Sequence, residues 1–260
     1  MEKVKAKKYL GQHFLKDQNI ARKIVDSLAY NQPGMNVLEV GPGMGVLTQY
    51  LLQKDIHLKA VEIDRESVTY LRNKFEGLDV VETDFLQSDP AALFDGPLAI
   101  IGNFPYNISS QIFFKVLDNR NLVTEVVGMI QKEVAERISA SPGGKEYGIL
   151  SVLIRAFYDI EYLFTVPPQV FSPPPKVHSA VVRMRRNEVA HLDCDENIFF
   201  KVVKRAFQTR RKMLRNALKA INLPEQIAQL AIMNQRAESL SVNDFVQLTR
   251  LIQESSDRKL

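Results

Sequence analysis

The sequence predicts an α/β protein with a mostly parallel sheet, followed by a small all-α domain. Short apolar stretches alternate with helical patterns up to about residue 185, and such alternation is typical of a parallel sheet with helices on both faces. A glycine-rich loop at 41–45 directly follows the first of these stretches. Residues 196–255 show helical periodicity without a strand pattern. We therefore expect an α/β domain over 1–188 and a helical domain over 189–260.

The individual elements follow from local patterns. Apolar stretches bounded by turn residues predict strands at 36–40, 57–63, 78–82, 97–102, 124–130, 159–165 and 179–185. Spaced apolar residues predict helices at 18–29, 46–53, 109–117 and 148–157, and two more that start near 64 and 131. Asp64 and Glu66 suit the first turn of a helix, because acids there face the positive end of the helix dipole.

Composition excludes several classes of protein. With 45% hydrophobic and 25% charged residues, the 260-residue chain has the composition of a globular protein, not of a disordered or collagen-like one. No apolar run approaches the length of a membrane-spanning helix, and the basic N-terminal residues lack the apolar run of a secretory signal. The single cysteine, Cys194, excludes an internal disulfide and a thiolate zinc cluster. We expect a reduced, cytoplasmic setting, no metal and no membrane.

Positive charge is concentrated in one window near the C-terminus. The net charge is only +4, yet eight basic residues and no acid lie between positions 201 and 219. A concentrated basic patch favours a polyanionic partner, although a solvated helix face would show the same pattern. The candidates for contacts with such a partner in this window are Lys204, Arg205, Arg210, Arg211, Lys212 and Arg215.

The loop Gly41-Pro-Gly43-Met-Gly45 and two acids predict a ligand that carries a ribose. Glycines at the end of a strand let the backbone approach a ligand closely. Glu39 precedes the loop by two residues. Glu62 ends the next strand, where a carboxylate can accept hydrogen bonds from both ribose hydroxyls. A dinucleotide would use Gly-x-Gly-x-x-Gly, whereas Glu-x-Gly-x-Gly-x-Gly resembles the S-adenosylmethionine loop of Rossmann-like methyltransferases.

Two further strands end near residues that could bind the same ligand. Asp84 follows the third strand and Asn103 ends the fourth. The carboxyl ends of neighbouring strands form the ligand crevice of an open α/β sheet, so these residues should lie near Gly41 and Glu62. In Rossmann-like methyltransferases the position of Asp84 binds the adenine amino group, but taken alone Asp84 would be a turn or helix cap.

The tetrapeptide Asn103-Phe-Pro-Tyr106 contains turn-forming residues, but at this place it resembles the Asn/Asp-x-Pro-Tyr motif of methyltransferases that act on nucleobase amino groups. Such an amino group is a poor nucleophile because its lone pair is conjugated with the ring. The Asn103 side-chain oxygen and the carbonyl of Phe104 or Pro105 can accept its two hydrogens, which directs the lone pair at the methyl donor. Tyr106 offers a face on which the extruded base can stack.

Six motifs occur in order: Leu10-Gly-Gln-His-Phe-Leu15, Glu-Val-Gly-Pro-Gly from Glu39, Val-Glu-Ile-Asp from Val61, Asn-Phe-Pro-Tyr-Asn-Ile-Ser from Asn103, Gln131-Lys-Glu-Val-Ala-Glu-Arg137 and Phe171-Ser-Pro-Pro-Pro-Lys-Val177. Over about 7–260 the chain closely resembles the small-subunit ribosomal RNA adenine dimethyltransferases of bacteria. The resemblance implies a Rossmann-like methyltransferase domain and a helical RNA-binding domain. It also implies that S-adenosyl-L-methionine donates two methyl groups to each of two adjacent adenosines. These lie in a hairpin loop near the 3′ end of 16S rRNA, within the assembling small ribosomal subunit. Nothing in the sequence suggests an obligate oligomer, so we expect a monomer.

The resemblance also assigns residues. The implied cofactor contacts are His13, Leu15, Gly41, Glu62, Asp84 and Asn103, and the catalytic residues are Asn103, Pro105, Tyr106 and Phe171. The stiff proline segment 166–177 is a rigid connector that would also hold Phe171 against the flipped base and Lys176 near a phosphate. Two positions depart from the family, which usually has asparagine at position 13 and leucine at position 104. We expect His13 to bind through another atom or its backbone.

Two alternatives share these features. Enzymes of the macrolide-resistance type methylate adenine in 23S rRNA and have the same cofactor and Asn-x-Pro-Tyr motifs. The segment around Phe171 and the basic C-terminal region favour the small-subunit enzyme. A ribosome assembly factor that acts mainly by binding is the second alternative, although the intact set Glu62, Asp84, Asn103 and Tyr106 favours catalysis.

Overall fold

The computed structural model describes residues 4–29, 32–209, 212–221, 223 and 225–257. The strands are β1 Phe14–Leu15, β2 Met35–Val40, β3 Ile56–Glu62, β4 Asp79–Glu82, β5 Leu98–Asn103, β6 Val123–Gln131, β7 Tyr158–Val166, β8 Phe171–Ser172 and β9 Ser179–Arg186. The helices are α1 Gln18–Val25, α2 Thr48–Leu51, α3 Arg65–Lys74, α4 Pro90–Leu93, α5 Ser109–Asp118, α6 Lys132–Ser139, α7 Ile149–Arg155, α8 Glu196–Gln208, α9 Leu214–Ala217, α10 Glu225–Ala228 and α11 Val242–Asp257. None of the helices in this described part of the chain is long and apolar enough to span a bilayer.

Within the described residues, seven strands form one sheet in the order β4-β3-β2-β5-β6-β9-β7. The pairs β4-β3, β3-β2, β2-β5 and β5-β6 are parallel, and β9 is antiparallel to β6. The predicted α/β class with a mostly parallel sheet is therefore confirmed. In this order the carboxyl ends of β3, β2 and β5 are neighbours. Glu62, Gly41 and Asn103, which end or follow these strands, therefore lie at one edge of the sheet.

Strands β2 and β5 form the centre of the sheet and are buried along most of their length. Val37 and Leu38 in β2 and Ile100 and Ile101 in β5 have no exposed surface. Their nearly continuous apolar sequences are typical of parallel strands that are covered on both faces. Truncation of one such side chain, as in Ile100→Ala, would cost about 2–5 kcal/mol of stability. The residues of the site thus lie at the ends of strands that are firmly packed in the core.

A second, two-stranded sheet was not expected from the sequence. Phe14 pairs with Ser172 and Leu15 with Phe171, in an antiparallel arrangement of β1 and β8. Strands of two residues are too short to show the alternation by which strands are recognised. The pairing joins the N-terminal segment to the proline-rich segment, in which the sequence predicts no strand.

The chain divides into two compact units. The first comprises 1–135 and 159–186, and the second comprises 136–158 and 187–260. In the second unit Phe207 packs against Tyr147 and Phe245, with ring centroids 6.2 and 6.0 Å apart. The sequence predicts a single boundary, at residue 188. The structure also assigns residues 136–158 to the unit that contains the C-terminal helices.

Candidate active site

A pocket lies at the carboxyl ends of β2, β3 and β5 in the first unit. It encloses about 720 Å³ of space, part of it open to solvent. Its lining consists of residues 10–15, 41–44, 46, 47, 62, 63 and 103–106, together with Glu39. Open α/β sheets bind ligands at this edge. Among the residues predicted to bind the cofactor, the pocket brings together His13, Leu15, Gly41, Glu62 and Asn103.

The glycine loop needs its glycines for conformation and for space. Gly41, Gly43 and Gly45 have φ angles of 67°, 57° and 77°, in the left-handed region that side chains disfavour. A Cβ atom on Gly45 would lie 2.2 Å from Cε2 of Phe75, and one on Gly43 would lie 2.9 Å from Cε1 of Phe14. The loop therefore presents bare backbone to the pocket and packs closely against its neighbours.

Glu62 ends β3 and stabilises the loop. Its Oε2 accepts a hydrogen bond from the backbone N–H of Gly43 at 3.0 Å, and its Oε1 accepts one from that of Asp64 at 2.9 Å. The residue is only 4% exposed, and burial raises the pKa of its carboxyl despite these two donors. Each carboxylate oxygen keeps further acceptor capacity, so Glu62 can also accept hydrogen bonds from ribose hydroxyls.

Glu39 is a second buried carboxyl beside the same loop. It is 1% exposed, and the Thr48 hydroxyl donates a hydrogen bond to its Oε2 at 2.6 Å. Burial raises the pKa of Glu39 to about 8, and the neighbouring charge of Glu62 adds to the shift. A ligand with positive charge would favour the ionised form of both carboxyls, whereas a pyrophosphate would disfavour it. The two acidic side chains therefore fit the sulfonium, ammonium and ribose groups of S-adenosylmethionine better than they fit a dinucleotide.

Asn103 is held by the N-terminal segment. Its Nδ2 donates a hydrogen bond to the backbone carbonyl of His13 at 2.9 Å, which makes Oδ1 the atom that remains as an acceptor. The Pro105 carbonyl accepts a hydrogen bond from the Ile108 N–H at 3.2 Å, in the turn before α5. The Phe104 carbonyl is thus the better candidate for the second acceptor of an amino hydrogen.

Tyr106 has both ends of its side chain constrained. Its hydroxyl is 2.5 Å from Oγ of Ser179, and its ring lies 5.4 Å from the His13 ring at a tilt of 31°. Burial raises the pKa of the phenol, which therefore stays protonated near neutral pH. Ser179 is fully buried at the start of β9. Sequence reasoning identified it only as the beginning of a strand.

His13 and Leu15 line the pocket as predicted, and the structure shows how the departure at position 13 is accommodated. The His13 backbone holds Asn103, while its Nδ1 is 2.8 Å from the Pro173 carbonyl oxygen. The side chain thus connects to the proline-rich segment, and the backbone carries the contact within the site. The contact of His13 with the cofactor stays a prediction.

The roles that the resemblance implies for Asp84 and Phe171 stay predictions, and the structure shows the local contacts of both residues. Asp84 is not among the described residues that line the pocket, and its Oδ1 accepts a hydrogen bond from the Leu86 N–H at 2.9 Å. This is the turn-capping role that the sequence left open. Phe171 is 1% exposed and belongs to the core, because its pairing with Leu15 turns it inward. Its ring is covered by the core in this structure, so stacking on a base would require the surrounding side chains to move.

The basic candidates lie on the surface where the structure describes them. Lys204, Lys212 and Arg215 are exposed, and Arg205 is half-buried with a hydrogen bond of 2.7 Å to the Gln208 side chain. Lys176 is exposed in the first unit. Two of the predicted RNA contacts, Arg210 and Arg211, lie outside the described residues.

The sheet order, the glycine loop and the acid at the end of β3 define a Rossmann-like methyltransferase. Among solved structures, a dimethyladenosine transferase from Plasmodium falciparum is similar with a TM-score of 0.79 and 26% identity, over 95% of this chain and 99% of that one. The 23S rRNA methyltransferase ErmE is similar with a TM-score of 0.72 and 25% identity, over 92% of this chain and 99% of that one.

Sequence comparison gives the family. The sequence pattern of the ribosomal RNA adenine dimethylase family matches residues 3–254, and the chain belongs to this family. A relative from Cytophaga hutchinsonii, named ribosomal RNA small subunit methyltransferase A, is 60% identical over 97% of this chain and 99% of its own length. One of the same name from Bacteroides thetaiotaomicron is 54% identical over 98% of this chain and 97% of its own length.

Proposed function

We propose that the chain uses S-adenosyl-L-methionine to dimethylate N6 of two adjacent adenosines in a hairpin loop near the 3′ end of 16S rRNA. The observation that carries the proposal is the orientation of Asn103, whose amide nitrogen is held by the His13 carbonyl. Family membership supports adenine as the target base, and the names of the relatives support the small ribosomal subunit.

The cofactor side of the pocket is formed by buried carboxyls and bare backbone. When bound, S-adenosylmethionine supplies an electrophilic methyl group on its sulfonium sulfur. Glu62 accepts hydrogen bonds from ribose hydroxyls, while the loop 41–45 lets the ligand approach the backbone. Glu39 offers its buried carboxylate to positive charge on the ligand. Leu15, which is buried in the pocket wall, contributes apolar surface that excludes water.

The acceptor side orients the adenine amino group. Oδ1 of Asn103 and the carbonyl oxygen of Phe104 accept its two hydrogens, so that the nitrogen lone pair points at the methyl group. The same two oxygens stabilise the positive charge that develops on nitrogen during transfer. A proton then leaves the methylated nitrogen to water. The chain needs no strong base for this step, because the cationic nitrogen is itself acidic.

Tyr106 supplies the stacking surface for the flipped base. The hydrogen bond to Ser179 fixes the far end of its ring, and the His13 ring lies beside it. A preset ring orientation reduces the entropy lost when the base enters the pocket. Exposed basic residues of the helical unit, such as Lys204 and Arg215, would contact RNA phosphates and position the substrate without reading its sequence.

The direct test offers two RNA substrates and methyl-labelled S-adenosylmethionine. One is the immature small subunit lacking the modification, and the other is protein-free 23S rRNA. Label in N6,N6-dimethyladenosine of 16S rRNA is the expected result. Label only in 23S rRNA would assign the chain to the macrolide-resistance type. Absence of label from both, with cofactor binding intact, would refute catalysis and leave an assembly factor that acts by binding.

A further inference from the structure

Lys7 connects the N-terminal segment to the cofactor corner of the sheet. Its Nζ forms an ion pair with Asp64, in direct contact, and a second one with Oε1 of Glu66 at 3.1 Å. The Lys7 side chain is 23% exposed and that of Asp64 is 1% exposed. Because the Asp64 side chain is buried, removal of the Lys7 ammonium would deprive its charge of a counterion.

Gln12 reinforces this connection from the other side of the 3-10 turn at Lys8–Leu10. Its Oε1 accepts a hydrogen bond from the Lys7 N–H at 2.8 Å, and its Nε2 donates one to Oδ2 of Asp64 at 3.2 Å. Two residues of the segment thus converge on one carboxylate. Since residues 10–15 line the pocket, this carboxylate anchors the part of the pocket wall that comes from the N-terminus.

Asp64 is coupled in turn to the residue that would bind the ribose. Its backbone N–H donates to Glu62 at 2.9 Å. Its side chain caps α3 by accepting from the Glu66 N–H at 3.3 Å, and it also accepts from the Ser67 hydroxyl at 3.0 Å. Burial by itself would raise the pKa of Asp64. The hydrogen bonds from Lys7, Gln12 and Ser67 outweigh burial and hold the pKa below its usual range, so the carboxylate stays charged at neutral pH.

The same segment is fixed at its other end to the acceptor side of the site. The His13 carbonyl accepts from Asn103, and β1 pairs with β8. The segment 7–15 therefore crosses the pocket from the corner at Asp64 to Asn103. Loss of the Lys7 ammonium would weaken the attachment of the segment at Asp64, where Gln12 still binds, and would leave the contact with Asn103 in place.

We propose that Lys7 and Asp64 are positioning residues whose ion pair closes segment 7–15 over the cofactor pocket. The pair sets cofactor affinity mainly by slowing cofactor release. It does not take part in methyl transfer, which depends on Asn103 and Phe104. This inference rests on the proposed use of S-adenosylmethionine.

The test measures the dissociation constant and the dissociation rate of S-adenosylmethionine for the full chain. Lys7→Ala should weaken binding about tenfold, mainly through faster dissociation, because a charge-assisted contact to a buried carboxylate is lost. Asp64→Asn should act similarly, since asparagine keeps the helix cap but not the charge. Lys7→Arg should restore most of the affinity. Lys8→Ala, in an exposed lysine of the same segment, is the matched control and should bind like the wild type.

A split between steady-state constants separates positioning from general damage. Lys7→Ala should raise the KM for the cofactor and leave kcat within about twofold at saturating cofactor. Wild-type affinity in both Lys7→Ala and Asp64→Asn would overturn the inference. A loss in Lys7→Ala that Lys7→Arg does not restore would also overturn it. Absence of cofactor binding by the wild type would instead refute the proposed function.

Discussion

Asn103 and His13 are 90 positions apart in the chain, and the side chain of the first donates a hydrogen bond to the backbone carbonyl of the second at 2.9 Å. This contact decides which end of the Asn103 amide faces the pocket. A carbonyl can only accept, so the amide nitrogen must point to His13 and the amide oxygen becomes the available acceptor. The carbonyl oxygen of His13 thus determines the orientation of the Asn103 amide.

Tyr106 and Ser179 should behave as a coupled pair. Tyr106→Phe and Ser179→Ala each remove one partner of the 2.5 Å hydrogen bond, and each should raise the KM for RNA severalfold. The double variant should be less impaired than the sum, with a coupling of about 1 kcal/mol. Tyr106→Ala removes the stacking surface as well and should weaken the free energy of RNA binding by roughly 1–3 kcal/mol. Strict additivity of the two single changes would contradict the pairing.

Glu39 predicts a pH dependence of stability in the absence of cofactor. Burial raises its pKa from 4.5 to about 8, so the folded protein retains a proton that the unfolded chain releases. The stability that this proton confers is complete below pH 4.5 and is lost as pH rises through about 8, by up to 1.4 kcal/mol per pH unit, roughly. Glu39→Gln should flatten this loss.

The measurement is the free energy of unfolding at pH 5, 6.5 and 8. Glu82→Gln, at the exposed end of β4, is the control and should show the wild-type slope. Equal slopes for Glu39→Gln and Glu82→Gln would show that Glu39 does not titrate in this range.

Gly45 and Gly77 separate crowding from backbone strain. Their φ angles of 77° and 79° are nearly the same, so alanine at either position carries a similar strain of about 1–2 kcal/mol. A Cβ on Gly45 would meet the Phe75 ring at 2.2 Å, whereas none of the described atoms lies within 4 Å of a Cβ on Gly77. Gly45→Ala should therefore destabilise by about 1–3 kcal/mol more than Gly77→Ala. Equal losses in chemical denaturation would mean that the contact with Phe75 is unimportant.

The outline of the fold and half of the site follow from local sequence. The strand-end positions of Gly41, Glu62 and Asn103 could be predicted because each depends on a glycine loop, an acid or a tetrapeptide at the end of a recognisable strand. Contacts between distant segments could not be predicted. Ser179 lies 73 positions from Tyr106, and the sequence around either residue does not predict their contact.

Burial was the other property that the sequence could not provide. Phe171 occupies a motif that suggested an exposed stacking role, but its register with Leu15 in the two-stranded sheet turns it into the core. A single-residue change of register reverses the direction of a side chain. The motif alone does not contain that information.

Basic residues of the helical unit should dominate the salt dependence of RNA binding. In the double variant Lys204→Ala/Arg215→Ala the plot of log association constant against log salt concentration should become shallower. The magnitude of its slope should fall by about 1–2, because two phosphate contacts are lost. Lys54→Ala/Lys59→Ala removes the same charge from lysines that pair with Asp26 and Asp79. This control should keep the wild-type slope. An unchanged slope in the first variant would exclude Lys204 and Arg215 as phosphate contacts.

The most direct measurement is the single-turnover rate of methyl transfer by Asn103→Ala on immature small subunits at saturating S-adenosylmethionine. Loss of one preorganised acceptor in the transition state should reduce the rate by about 100- to 1000-fold. Asn36→Ala, which removes an amide bonded to the Pro97 carbonyl at 3.1 Å, is the control and should react at the wild-type rate. A wild-type rate for Asn103→Ala would contradict the assignment of its side-chain oxygen as the group that orients the adenine amino group.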